Sequence, residues 1–368
     1  MVTNVGFMQS VRSLRKFSIH SIPKSTVSTQ LYIRHASSLS NIKPKAYQQS
    51  TKVAPTKFSD QEIERRIRTG LDSQGNPTYI LQPSDTQYLT LKDGRHLCYA
   101  VFGRQIPGGK DVVIWHGFPG TRMTWSSLHK FGERNGIRFI AIDQPGMGRS
   151  TNIHRRDYNV LDHARDTNQL INHLGIKRFY VSGVSGGAAA AFACAYYFQH
   201  RVIRTGILCG VMPPEAAHRG LRWNVRRFDL VCQIAPSLAA FWEDRYENKD
   251  KRTLVERRLK SGKIKATDDE FIQEFEGNRQ PTRAYIEAYR RHLDPWGFDF
   301  REIRTDVIIY MGNRDENTPL SAAEWCQRRN PEYIKLRSFA GLNHRTVQRY
   351  EWDLLDELLN WTKKRKHR

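Results

Sequence analysis

The pentapeptide Gly183-Val184-Ser185-Gly186-Gly187 sets a serine among glycines. Phe179-Tyr180-Val181, a buried-strand pattern, precedes it, and the alanine-rich, helix-forming run from Ala188 to Phe198 follows. Chance supplies Gly-x-Ser-x-Gly in roughly one chain of this length in eight, at ~7% per residue, so the context carries the reading. On a sharp strand-to-helix turn a serine hydroxyl is pushed into solvent. The glycines let neighbouring backbone pass without a side-chain clash, and the helix N-terminus favours developing negative charge. The competing reading is a glycine-rich turn with no chemistry.

A serine hydroxyl is barely nucleophilic at neutral pH and needs a histidine base held by a carboxylate. Both should sit just beyond the carboxyl ends of later strands. The apolar run Asp306 to Met311 is followed by Gly312-Asn313-Arg314-Asp315-Glu316-Asn317, which offers Asp315 as the orienting acid, with Glu316 and Asp143 as rivals. Ile334 to Phe339 is followed by Gly341-Leu342-Asn343-His344, which offers His344 as the base. A tetrahedral intermediate also needs donors for its oxyanion. The backbone N–H of Gly186 is one. The loop His116-Gly117-Phe118-Pro119-Gly120 supplies the other, assigned to the Phe118 N–H. The His116 side chain, one residue past a strand, reads as a loop brace rather than a second base.

The elements that must hold these groups are short and regularly alternating. Tyr88 to Leu91 and His96 to Phe102, joined at Asp93-Gly94, read as a hairpin. Asp111 to Trp115, Arg138 to Ile142, Phe179 to Val181, Thr205 to Leu208, Asp306 to Met311 and Ile334 to Phe339 are further strands, most of them separated by amphipathic segments. The pattern predicts an α/β fold with a doubly wound, mostly parallel sheet. Residues 213–300 break the rhythm with helical stretches, including the capping box Thr267-Asp-Asp-Glu270 before Phe271, Ile272 and Phe275. They predict a helical cap inserted into a core of residues 60–212 and 301–368, its folded part opening near the capping box Ser59-Asp-Gln-Glu62. Trp242 and Trp296, with Phe241, Phe298 and Phe300, suggest an apolar pocket wall in that cap, although cap aromatics usually just pack the cap on its core.

On these loops, together with Asp143-Gln144-Pro145-Gly146-Met147-Gly148-Arg149-Ser150, the chain resembles the α/β-hydrolase-fold serine hydrolases of the esterase, lipase and proline-iminopeptidase-like group, over roughly residues 88–361. The order Ser185, Asp315, His344 is that of the family. The resemblance implies hydrolysis of a carboxylic ester, thioester or amide through an acyl-serine, with no metal or organic cofactor and a small-molecule acyl substrate. It also makes the Asp143 segment structural, with Gln144 standing where many relatives have Arg. Relatives that are epoxide hydrolases or dehalogenases use an Asp nucleophile at the elbow, which Ser185 argues against. An aminopeptidase would need cap carboxylates such as Glu243, Asp244 and Glu247 to hold a substrate ammonium. A third reading is a hydrolase fold kept for protein interaction without turnover.

Composition bounds the rest. With 368 residues, 39% of them hydrophobic and 26% charged, the chain can bury a large core and is not of disordered type. No run reaches the ~18 to 20 uncharged apolar residues that span a bilayer. The formal charge is +22, but nine of the 59 Lys and Arg fall in residues 1–59, where there is no acid at all. That Ser-rich leader has Met8, Val11, Leu14 and Phe17 at helical spacing with Arg12, Arg15 and Lys16 between them. It has the composition of a mitochondrial transit peptide and predicts a matrix enzyme, against an ordinary basic arm as the alternative. Arg245 to Lys265 holds nine Lys or Arg against Glu247, Asp250 and Glu256, and the chain ends Lys363-Lys364-Arg365-Lys366-His367-Arg368. No interleaved aromatic platform or known module points to nucleic acid. A solvated basic face is the simpler reading, and weak attraction to an anionic membrane is the other. Cys98, Cys194, Cys209, Cys232 and Cys326 are odd in number and widely spaced, which disfavours a disulfide framework and suits a reducing compartment.

Overall fold

The computed structural model describes residues 85–104, 106–216, 218–248, 261, 273, 276–277 and 279–360. The leader, the Ser59 and Thr267 capping boxes, most of Arg245 to Lys265 and the C-terminal basic run lie outside the described residues. The chain falls into two units, Met1–Ala54 and Pro55–Arg368, and every described residue belongs to the second.

The sheet has eight strands: β1 (Gln87–Thr90), β2 (His96–Gly103), β3 (Lys110–Trp115), β4 (Ile137–Ile142), β5 (Phe179–Val184), β6 (Val202–Leu208), β7 (Val307–Gly312) and β8 (Ile334–Phe339). Their order is β1-β2-β4-β3-β5-β6-β7-β8. The β1–β2 hairpin and the β2–β4 pairing are antiparallel, and the remaining pairings are parallel. Between strands run α1 (His129–Asn135), α2 (Val160–His173), α3 (Ala188–Tyr197) and α7 (Leu320–Arg329), with α8 (Glu351–Asn360) after β8. Between β6 and β7 come α4 (Trp223–Ile234), α5 (Pro236–Trp242) and α6 (Thr282–Arg290).

Each central strand is apolar on both faces because both are covered, with alternate side chains going to opposite layers. Val113 and Trp115 pack with α2, α3 and α7, whereas Val112 and Ile114 pack with α1 and α8. Helix α2 starts where the Asn159 side chain accepts from the Asp162 N–H and Asp162 accepts in return from the Asn159 N–H, a reciprocal cap. Helix α3 is buried from Ala188 to Ala195, as expected for a helix that is apolar all round. Its small residues let it lie close to the sheet directly behind the nucleophile turn. All five cysteines are free and buried. No described helix is long and apolar enough to cross a membrane.

The order of strands puts the β3, β5, β7 and β8 loops at the carboxyl edge, where parallel strands gather ligand-facing groups. Between β6 and β7 the insertion is helical in its described part. Its end, however, belongs to the core. Trp296 and Phe300 are buried against Phe192 of α3, and Phe298 stacks on Tyr196. The expectation that Trp296, Phe298 and Phe300 form a pocket wall is therefore corrected: they rivet the end of the insertion to α3. Phe241 is exposed and Trp242 half-buried on α5.

Candidate active site

Ser185 is the first residue after β5 and opens a short 3-10 turn, Ser185–Gly187, that leads into α3. Its φ is +50°, a left-handed conformation that costs a non-glycine residue of order 1 kcal/mol or more and persists where the surroundings over-determine it. Close packing supplies that constraint. A Cβ on Gly183 would lie 2.6 Å from the Gly187 carbonyl oxygen, and one on Gly186 would strike the Phe118 ring.

His344, in the loop after β8, places Nε2 3.1 Å from Ser185 Oγ and Nδ1 2.8 Å from Asp315 Oδ2. Asp315 is buried in the loop after β7. Its Oδ1 accepts from the N–H groups of Asn317 and Thr318, each at 2.9 Å. Its Oδ2 lies 2.8 Å from the Thr318 hydroxyl, which is also 3.1 Å from His344 Nδ1 and 3.1 Å from the Cys209 carbonyl oxygen. The carboxylate thus holds the imidazole proton on Nδ1 and leaves Nε2 as an acceptor for the serine proton. Both rival acids are occupied elsewhere. Glu316 is exposed and pairs with Arg222 at 3.3 Å. Asp143, fully buried, accepts from the Arg122 and Arg149 backbone N–H groups and from the Arg122 guanidinium.

The His116 loop runs beside the nucleophile turn. A Cβ on Gly117 would fall 2.9 Å from Ser185 Cβ, and the Phe118 ring covers Gly186. His116 is the brace expected of it: Nε2 accepts from the Gln144 N–H at 3.1 Å, so Nδ1 carries the proton and donates to the Gly117 oxygen at 2.9 Å. Burial lowers its pKa and keeps the ring neutral. Gln144 also donates through Nε2 to the His116 oxygen.

Three contributors escaped sequence reasoning. Thr318 supports the triad acid, and the Asp-x-x-Thr spacing from Asp315 is the only sequence signal for it. His292, in the turn after α6, donates from Nε2 to the Gly186 carbonyl at 2.8 Å and stands edge-on to Phe118 at 4.7 Å between centroids. Burial pushes its pKa down to about 4, so it is a neutral donor. A lone histidine in a helical region carries no sequence signal for that role. Glu276, fully buried, reaches from the insertion to Arg122 at 2.7 Å and Arg149 at 2.8 Å, completing a charge cluster with Asp143. The two guanidinium groups outweigh desolvation and hold its carboxyl well below the usual range. Among the described residues no group of three His, Cys, Asp or Glu side chains is arranged to hold a metal ion.

Residues 111–341 match the alpha/beta hydrolase fold family, and the chain belongs to that family. A probable proline iminopeptidase of Leptolyngbya boryana is 35% identical over 261 residues, covering 61% of this chain and 78% of its own length. A bifunctional esterase/perhydrolase of Acinetobacter calcoaceticus is 31% identical over 165 residues, 43% of this chain and 57% of its own. The chain spans only 34%, 44% and 57% of the length of the first three curated relatives it matches, the esterase/perhydrolase being the third. An epoxide hydrolase structure from Vigna radiata superposes with a TM-score of 0.58 at 16% identity, covering 77% of this chain and all of its own; at that identity the likeness concerns the fold alone.

Proposed function

We propose that this hydrolase cleaves a carboxylic ester through an acyl-serine intermediate. The observation that carries the reading is the continuous path from Ser185 Oγ through the His344 imidazole to a fully paired Asp315 carboxylate, with the serine held at positive φ. Ser185 Oγ attacks the acyl carbon as His344 Nε2 takes its proton. The N–H groups of Phe118 and Gly186 receive the oxyanion, and the imidazolium, stabilised by Asp315, passes its proton to the departing alcohol. Water then enters, loses a proton to His344 and releases the acid. The test is hydrolysis of short p-nitrophenyl esters and labelling by a fluorophosphonate probe, both expected of the wild type and lost in Ser185→Ala. Turnover by Ser185→Ala would refute the assignment, and a wild type inert to the probe would favour the reading of a fold kept for protein interaction.

The names of several relatives favour a second reading, removal of an N-terminal proline. It needs a carboxylate for the substrate ammonium. Among the described residues the two buried carboxylates of the insertion are already engaged, Glu276 by Arg122 and Arg149 and Glu287 by Arg290 at 2.9 Å, which supports the ester. Proline p-nitroanilide hydrolysed faster than p-nitrophenyl esters would reverse the order. Delivery to mitochondria is proposed on the leader's composition.

A further inference from the structure

Helices α4, α5 and α6 pack together around Cys232, Ala239 and Ile286. Helix α6 turns Tyr285 and Tyr289 toward Phe118 of the active-site loop. On their other faces helices α4 and α5 carry exposed apolar side chains. At ~100° per residue, Trp223, Leu230 and Ile234 fall within about 40° of one another on α4, opposite Cys232. Trp223 is 71% and Ile234 72% exposed, and Leu238 and Phe241 continue the exposed set on α5. Five of the nine large hydrophobic side chains exposed among the described residues lie in these two short helices. Such a concentration marks a contact surface rather than the scattered apolar exposure usual in soluble proteins.

Charge identifies the partner. On the α4 wheel Arg226 and Arg227 flank the apolar stripe on either side. Arg219 is exposed in the preceding turn, and after α5 Arg245 is exposed beside Glu243 and Asp244, the latter accepting from the Thr282 hydroxyl at 3.0 Å. The α4 carboxylate, Asp229, takes the Tyr289 hydroxyl at 2.6 Å and so faces inward. Two copies meeting on this face would oppose like charges. Apolar side chains with an interfacial tryptophan, rimmed by Arg227 and by Arg226, whose guanidinium also donates to the His218 and Leu221 carbonyl oxygens at 2.8 and 3.3 Å, complement an anionic bilayer surface. We propose that the outer face of α4 and α5 docks this protein on anionic membranes, independently of which bond the active site cleaves.

The experiment is co-sedimentation of the full chain with phosphatidylcholine vesicles, with and without roughly 30% phosphatidylserine. Wild type should pellet with the anionic vesicles and be released by salt. In the same assay Trp223→Glu/Ile234→Glu and, separately, Arg226→Glu/Arg227→Glu should lose about tenfold or more in partitioning. Both should keep hydrolysis of a soluble ester and the wild-type melting transition. Should the first pair melt early, Ile234→Ser/Phe241→Ser replaces it. Because the leader is itself cationic, Arg12→Glu/Arg15→Glu/Lys16→Glu is run in parallel and should retain binding. A wild type that ignores anionic vesicles, or cap variants that pellet like wild type, would overturn the proposal. So would a dimer abolished by the same substitutions with no vesicle binding, which would assign the face to a second copy of the chain.

Discussion

Replacing Asp315 by Asn should nearly silence the enzyme without unfolding it, and the geometry says why. The two backbone N–H groups of Asn317 and Thr318 converge on Oδ1 at 2.9 Å each. The new amide must therefore put its oxygen there, which places its NH2 at the Oδ2 position, 2.8 Å from His344 Nδ1. An NH2 can only donate to that nitrogen, so Nδ1 becomes the acceptor and the imidazole proton moves to Nε2, facing Ser185. The base is then blocked by its own proton, and the imidazolium loses its counter-charge. The expected cost is about 10,000-fold in kcat, equivalent to about 5.5 kcal/mol in the barrier. No core volume changes, so the melting temperature should move little. Steady-state hydrolysis of p-nitrophenyl acetate, with Glu316→Gln as the control, reads the effect. Glu316 is exposed and should be silent. If Asp315→Asn keeps a tenth of wild-type kcat, or Glu316→Gln falls as far, the assignment of the orienting acid is wrong.

His292→Ala leaves the Gly186 carbonyl without its buried donor, at a cost of about 1–3 kcal/mol. It should lower kcat by roughly 10- to 100-fold as the oxyanion turn loosens, and an unaltered kcat would remove its positioning role. In His292→Gln the pH profile of stability should change in a definite sense. Because the folded pKa is about 4 and the unfolded one about 6.5, the unfolded state binds the proton first, and the wild type loses stability as pH falls through that window. The variant should lose about 1.4 kcal/mol less per pH unit there, measured by urea unfolding. Glu276→Gln strips Arg122 and Arg149 of a buried counter-charge and should destabilise the fold by about 3–5 kcal/mol at pH 7. Because its folded pKa is depressed, that difference should shrink as pH drops below ~4.5, and a constant difference would deny the ion pair its role. Residues 1–40 should carry a fused reporter to mitochondria, and Arg12→Glu/Arg15→Glu/Lys16→Glu should leave it in the cytosol, since each positive charge is driven inward by ~2.3 kcal/mol per 100 mV; an unchanged mitochondrial signal would defeat this.

The sequence by itself determined the sheet and put forward the candidate nucleophile, base and acid. Strand periodicity is a local property, and each of the eight strands is anticipated at the right place to within a few residues. Catalytic loops follow strand ends, so Ser185, Asp315 and His344 could be read from where apolar runs stop and glycines begin. Tertiary structure alone decided between Asp315 and its rivals, because what sets Asp143 and Glu316 apart is what surrounds them: two buried arginines for one, solvent and Arg222 for the other. It also decided the roles of the insertion. Aromatic content is the same whether a ring lines a pocket or fills a core, and only the packing of Trp296 on Phe192 settles that it is core. Glu276 meets Arg149 across 127 residues and His292 meets Gly186 across 106. Periodicity, capping and turn chemistry act over a few residues, so pairings at that separation become legible only once the sheet has brought the insertion back over the nucleophile.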